Sequence, residues 1–308
     1  MNNYRRLILP IGLIAALHLL LSSCMFTGIE NTGKIKLSKE EAAAAAAVSE
    51  EDRLVAPLSD NDISEWRSGK PFLAASERVR LIFTSAPADP FGHTLYFQGF
   101  DRTATPSGSR ALNIMFRDSI GRNYIYQREL HGDSLIRTSD LPMLVDLDMV
   151  QKADSLLRGR TLWPRTRFWD DAENHSNTTV GTQLMPVKVL EVLPSSADFP
   201  LRVIFADNSG KRGSLVFNPS PRSSRSFSSQ FKVTDPRLDH KKITDEKWAD
   251  ICNGRLSTGM TKQEAKLSYG APDDVESDHD YSKLIEYWYY SNGAFLRFED
   301  GLLVSFRK

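Results

Sequence analysis

Few residues in this chain combine the type and the spacing that chemistry requires. Asp170-Asp171 with Glu173 and His175 is the densest acidic group, and Asp278-His279-Asp280 is a second. Carboxylates with an imidazole can bind a divalent cation, but neither group has the spacing of a calcium loop or a tetrahedral zinc site. Solvated loops are the expectation for both. His93, His131 and His240 stand in polar, turn-like contexts, and no Gly-x-Ser-x-Gly elbow, phosphate-cradling glycine loop or His-Glu-x-x-His pair occurs. No nucleophile–base pair is visible, so the chain is read as no enzyme, with no cofactor and no metal; a hydrolase at the acidic cluster is the residual alternative. Cys252 falls in a predicted helix over Thr244–Asn253 among Trp248, Ile251 and Leu256. A buried structural thiol is expected there.

The other candidates bind rather than react. Leu284–Tyr290 is rich in strand formers, and alternation puts Tyr287 and Tyr289 opposite Trp288, which is assigned to the core. With Arg297, these tyrosines form a candidate protein-binding surface. Trp163, Phe168 and Trp169 are candidates for stacking on a carbohydrate.

What positions these residues begins at the N-terminus. Met1–Arg6 is short and basic, Leu7–Leu21 is apolar, and small residues lead to Cys24, the pattern of a secretory signal peptide. The apolar run is 15 residues, broken by Pro10 and His18, whereas a membrane span needs ~20. Leu21-Ser22-Ser23-Cys24 resembles the lipobox of bacterial lipoproteins. That resemblance implies removal of residues 1–23, acylation (palmitate among the chains) of Cys24, and an outer-membrane anchor whose several chains make it stable. Surface-exported lipoproteins of some phyla carry acidic residues right after the cysteine. Residues 25–30 lack such a run, which points to the periplasmic face rather than the cell surface. A bacterial signal also discounts the glycosylation pattern at Asn177-Thr178-Thr179.

Residues 24–60 are expected to be a lipidated tether. Ser38 and Glu41 have capping-box spacing and Ala42–Ala47 favours helix, but no apolar stripe supports it, so a partly helical, mobile spacer is predicted. The chain of 308 residues has 39 basic and 39 acidic side chains; removing Arg5 and Arg6 with the signal leaves 37 against 39. That balance excludes a phosphate-neutralising surface, and nucleic acid as a partner.

Two stretches in the middle resemble each other. Leu112–Arg122 aligns with Leu201–Lys211, sharing Leu, Phe, Asp and Gly at 4 of 11 positions, and Gly69-Lys70-Pro71-Phe72 aligns with Gly159-Arg160-Thr161-Leu162 at nearly the same offset. In each, an alternating apolar trio is followed by Asp and Gly, the chemistry of a hairpin turn. Two small repeated β-rich modules are predicted, at 61–135 and 136–235, each a small barrel or curled sheet. Val79–Phe83 is read as a strand, Leu141–Leu157 as a connecting helix, and the Pro-, Ser- and Arg-rich residues 218–235 as a linker.

Residues 240–308 carry the densest signals. Thr244 or Asp245 caps one helix, and Thr261 with Glu264 opens a second that Gly270 and Pro272 end. Leu284–Tyr290, Ala294–Glu299 and Leu302–Arg307 follow as a three-stranded meander turned by Asn292-Gly293 and Asp300-Gly301. Gly259-Met260-Thr261 with Glu264, Gly270-Ala271-Pro272, Trp288-Tyr289-Tyr290, Phe298 and Asp300-Gly301 together resemble the BamE-like (SmpA/OmlA) lipoprotein domain family. The resemblance implies a small α+β unit at the periplasmic side of an outer membrane, assisting β-barrel assembly. The fold class expected overall is mainly β with α+β: two repeated β-rich modules and a C-terminal ααβββ domain. The expected function is a membrane-anchored, non-enzymatic envelope lipoprotein that binds a protein or acts in assembly. The alternative is a carbohydrate- or cell-wall-binding lipoprotein that uses the tandem β modules.

Overall fold

The structure is a computed structural model that describes residues 48–58, 61–105, 108–130, 136–174, 177–280 and 283–308. The signal segment, Cys24, the tether up to residue 47, His131 and His175 lie outside the described residues, as do the side chains of residues 279–282. The described chain is mainly β, in three curled antiparallel sheets.

Helix α1 (Glu50–Val55) comes first, capped by the Ser49 hydroxyl and continued by a 3-10 turn at Ala56–Leu58. The first sheet comprises β1 (Pro71–Ala74), β2 (Phe83–Ser85), β3 (Thr94–Ala104), β4 (Arg110–Asp118), β5 (Asn123–Glu129) and β6 (Leu144–Asp146). Helix α2 (Leu147–Leu157) leads to the second sheet: β7 (Thr161–Pro164), β8 (Phe168–Asp170), β9 (Thr178–Val180), β10 (Val187–Pro194), β11 (Leu201–Asp207), β12 (Arg212–Phe217) and, after helix α3 (Phe227–Gln230), β13 (Phe231–Lys232). The first sheet has the order β2-β5-β4-β3-β1-β6. Read from its β9 edge, the second has β9-β8-β12-β11-β10-β7-β13, the same order strand for strand with β9 added.

The likeness extends to single hydrogen bonds. Gly69 N–H donates to Phe97 O at 2.7 Å and Phe97 N–H to Lys70 O at 2.9 Å; Gly159 N–H donates to Val189 O at 2.9 Å and Val189 N–H to Arg160 O at 2.9 Å. A bulge in β3 between Phe97 and Gly99 faces Phe116 and Met115, and one in β10 between Val189 and Glu191 faces Phe205 and Ile204. Leu112, Ile114 and Phe116 turn to one core, and Leu201, Val203 and Phe205 to another, as alternation dictates. Both hairpins close on an aspartate. Asp118 accepts the N–H groups of Ile120 (3.1 Å) and Arg122 (2.8 Å), and Asp207 those of Ser209 and Lys211 (both 2.9 Å). Gly121 and Gly210 hold the left-handed position at φ 89° and 84°.

Four expectations need correction. The tether ends before residue 60, because Val55 and Leu58 supply apolar anchors that the alanine run lacks and are buried in the second sheet's core. The helix expected from Leu141 begins at Leu147. Asp146 caps it by accepting the Asp148 and Met149 N–H groups, while Leu144–Asp146 pairs with β1 as the last strand of the first sheet, so that sheet runs past residue 135. Val79–Ile82 is a 3-10 turn, and the strand starts only at Phe83. Residues 218–235 are no linker: Phe227 and Phe231 are fully buried beside Phe217 and Phe205.

The C-terminal part is helix α4 (Asp245–Cys252), helix α5 (Lys262–Tyr269) and a sheet of four strands, β14 (Asp274–Asp280), β15 (Lys283–Tyr289), β16 (Phe295–Glu299) and β17 (Leu302–Arg307), in sequential order. Thr261 and Glu264 form the reciprocal capping box that opens α5, and Gly270 ends it at φ 102°. β14 is the strand missing from the expected meander. Its Asp, Glu and Ser residues read as loop, but at an exposed edge charge is the usual protection against further pairing.

Candidate functional site

The C-terminal sheet has a packed face and an open one. Trp248, Ile251, Cys252, Met260 and Ala265 from the helical side meet Trp288, Leu296, Phe298 and Leu303 from the strands. Glu264 is buried under α4, accepting the Thr261 N–H at 2.7 Å and Lys247 Nζ at 3.2 Å, and Lys262 pairs with Glu286. With Trp288, Leu296 and Phe298 turned to the helices, alternation sends Tyr287, Tyr289, Phe295, Arg297 and Glu299 to the opposite face.

On that face the aromatic rings form a platform. Tyr287 stacks on Phe295 with centroids 5.8 Å apart and planes 23° apart, and Tyr289 meets the same Phe295 ring at 5.6 Å and 47°. The Tyr289 hydroxyl donates to Glu276 on β14 at 3.0 Å; that bond, with some burial, raises its pKa. Arg297 lies directly across from Tyr287 and pairs with Glu299 at 2.8 Å. Its hydrogen bond with Tyr287, foremost, and the Glu299 charge hold its guanidinium more firmly protonated. Lys283 completes the row at 2.8 Å from Glu299, whose carboxyl it pulls below the ordinary range. Tyr287, Tyr289 and Arg297 are therefore brought together, each half-buried. Phe295, which holds both rings, was missed as a site residue, although its alternation with Arg297 and Glu299 was legible.

The stacking trio is separated. Trp169 is fully buried, its indole N–H donating to Thr166 O at 2.9 Å, so it is corrected from ligand platform to core. A Cβ at Gly181 or Gly213 would come within 2.4 Å or 2.7 Å of its ring, so both glycines are needed to seat it. Phe168 is 54% exposed with the Arg167 guanidinium 4.5 Å from its ring centroid, and Trp163 is half-buried.

Two described members of the polar clusters lie in a turn and in a strand. Asp171 closes a turn by accepting the Glu173 and Asn174 N–H groups at 2.9 and 2.7 Å, which lowers its pKa, and Asp278 sits on the β14 edge. Among the described residues, no group of three or more His, Cys, Asp or Glu side chains could hold a metal ion. Burial pushes the Cys252 thiol up to about 11, so at neutral pH it carries no thiolate.

Sequence reading also missed a junction between the second sheet and the C-terminal domain. Gln183 donates its amide N–H to Cys252 O at 2.9 Å, and its side-chain nitrogen reaches Ile251 O and Leu267 O, both at 2.9 Å, and Ser268 O at 3.1 Å. Leu184, at φ 56°, joins the C-terminal core, and Arg167 packs against Gly254, where a Cβ would lie 2.5 Å from Nε.

Among the described residues, no helix is long and apolar enough to cross a membrane. Comparison with protein-family models, curated proteins and solved structures finds no match.

Proposed function

We propose that this chain is a non-enzymatic, lipid-anchored protein of the bacterial cell envelope that binds another protein through the open face of its C-terminal sheet. The observation that carries this reading is the Tyr287–Phe295–Tyr289 platform with Arg297 beside it on the face opposite the helices. Tyrosine, other aromatics and arginine are the residues that most often dominate binding energy at protein interfaces. In this account Cys24 is acylated, the body lies on the periplasmic side of the outer membrane, and confinement there raises the effective concentration of binder and partner. Helix, helix and meander in that order support a BamE-like C-terminal domain, with β14 as an additional edge strand. The coincident strand orders, bulges and Asp–Gly turns support reading the two N-terminal sheets as two copies of one module.

Affinity capture from solubilised membranes tests the reading. The intact chain is expected to recover one reproducible partner that the Tyr287→Ala/Arg297→Ala double variant loses while remaining folded; the absence of any reproducible partner contradicts it. Cys24→Ser is expected to move the chain from the membrane to the soluble fraction.

Exposed Phe168 beneath Arg167 favours a second reading, a carbohydrate-binding face on the second sheet using Phe168 and Trp163. A glycan array separates the two, because the protein-binding account expects silence there.

A further inference from the structure

The edge of the C-terminal sheet nearest the tyrosines is open. β14 pairs with β15 on one side, and among the described residues no strand pairs with its other side. Its backbone therefore offers hydrogen-bonding groups to a further extended segment. What that segment must carry follows from alternation along the edge.

Register sets Asp274 opposite Tyr289 and Glu276 opposite Tyr287, so both carboxylates lie on the aromatic face. Glu276 accepts the Tyr289 hydroxyl, Asp274 accepts the Val275 N–H, and neither forms an ion pair among the described residues. The positive groups of this face stand elsewhere. Lys283 and Arg297 are both held by Glu299, and Arg307 lies at the far edge, opposite Phe295. Between the two acids, Val275 turns to the other face, opposite Trp288, and is 46% exposed. The open edge thus alternates acid, apolar, acid. A second copy of β14 fits it poorly, because like charges directly opposite each other destabilise a strand pair. A strand with basic residues at every second position and an apolar residue between them fits both faces. Its cations would stand about 4.5–5.5 Å from the carboxylates, measured between Cβ atoms, and its apolar side chain would cover Val275. A cation placed there also meets the ring of Tyr289, a further attraction.

We infer that the partner adds an extended basic–apolar–basic segment to β14 as a fifth strand, with its basic side chains over Asp274 and Glu276 beside the tyrosine platform. The inference rests on the protein-binding reading and deepens it by giving the chemistry of the bound segment.

Titration of the full chain, made as Cys24→Ser to prevent its own acylation, with short end-capped peptides tests it. Fluorescence anisotropy reads binding, and hydrogen exchange reads the β14 amides. A peptide of alternating lysine and valine is expected to bind saturably at one site per chain and to slow exchange in β14. The same residues with lysines and valines in separate blocks, and the alternating peptide methylated at its backbone amides, are each expected to bind at least ~10-fold more weakly. An alternating glutamate–valine peptide is expected to be silent. The Asp274→Lys/Glu276→Lys double variant, at two exposed positions, is expected to lose the lysine–valine peptide and to gain the glutamate–valine one, a reversal that unfolding cannot mimic. The inference is overturned if the lysine–valine peptide shows no saturable site, if the block or methylated peptide binds equally well, or if the double variant does not reverse the preference. A dimer whose formation protects β14 would assign the edge to a second copy and overturn it as well. Capture from solubilised membranes separates this inference from the reading it rests on. A partner lost by Tyr287→Ala/Arg297→Ala but retained by Asp274→Lys/Glu276→Lys would overturn the strand addition alone, whereas recovery of no partner counts against the reading while the peptide titration still judges the edge.

Discussion

Where the first sheet sets Tyr124 beside Phe83, the second has Gly213 beneath Trp169. The central ring in each is alike: Phe116 meets Phe83 edge-on at 6.2 Å, and Phe205 meets Trp169 edge-on at 5.0 Å. Two medium rings in one sheet thus occupy the space that one large ring and a glycine occupy in the other, an exchange that conserves volume rather than residue type. The second difference lies between equivalent strands. Residues 86–93 join β2 to β3 directly, whereas 171–186 join β8 to β10 by way of β9 and the Gln183–Leu184 segment on which the C-terminal domain docks. The strand orders coincide, and the longer connection in the second sheet carries the residues that reach the C-terminal core.

The largest effect is expected from truncating the large ring. Trp169→Ala removes a fully buried indole and should cost ~3–5 kcal/mol, read as a lower urea midpoint. A double-mutant cycle sharpens the comparison: Trp169→Phe and Gly213→Tyr should each be destabilising alone, but less so together than their sum, because together they restore the first sheet's arrangement. Strict additivity would sink the equivalence. Gln183→Ala comes next, at ~1–3 kcal/mol, since three carbonyls lose one shared donor. It should increase hydrogen exchange in α4 and α5 while leaving β4 and β5 protected.

The turns give the smallest effects and a pH dependence. Asp118 is nearly inaccessible and accepts from Arg122 Nε (2.6 Å) and the Tyr124 hydroxyl (3.2 Å) as well as the turn; Asp207 adds only the Ser209 hydroxyl (2.6 Å). Asp118→Asn should therefore cost ~1–3 kcal/mol and Asp207→Asn ~1 kcal/mol or less at neutral pH. Burial raises both carboxyl pKa values, but the Arg122 and Ser209 hydrogen bonds outweigh it and leave each below the ordinary 3.8. A depressed folded value means stability present above 3.8 that fades as pH falls through the folded pKa. The gap between wild type and Asp118→Asn should be full at pH 7 and shrink below that range; a gap that grows in acid would show the sign to be wrong.

The hairpin trios and turns were legible because alternation and Asp–Gly chemistry are local, as were the capping box of α5 and the outward face of β15. Elements whose sequence runs against their position were not. β14 reads as loop because it is an acidic edge, α3 is hidden in a Ser- and Arg-rich stretch by two core phenylalanines, and Trp169 looked like a ligand platform until Gly181 and Gly213 were brought beneath it. Gln183 carries no motif, because its meaning lies in residues distant in sequence.

The claim that the open C-terminal face engages a protein is tested most directly by photo-crosslinking in intact cells, with a photoreactive amino acid at Tyr287 and, as control, at Leu81 in the turn before β2, which is 79% exposed. The account predicts a single discrete adduct from position 287, absent from position 81 and lost when Arg297→Ala is added. No adduct at 287, or the same adduct from both positions, would contradict it.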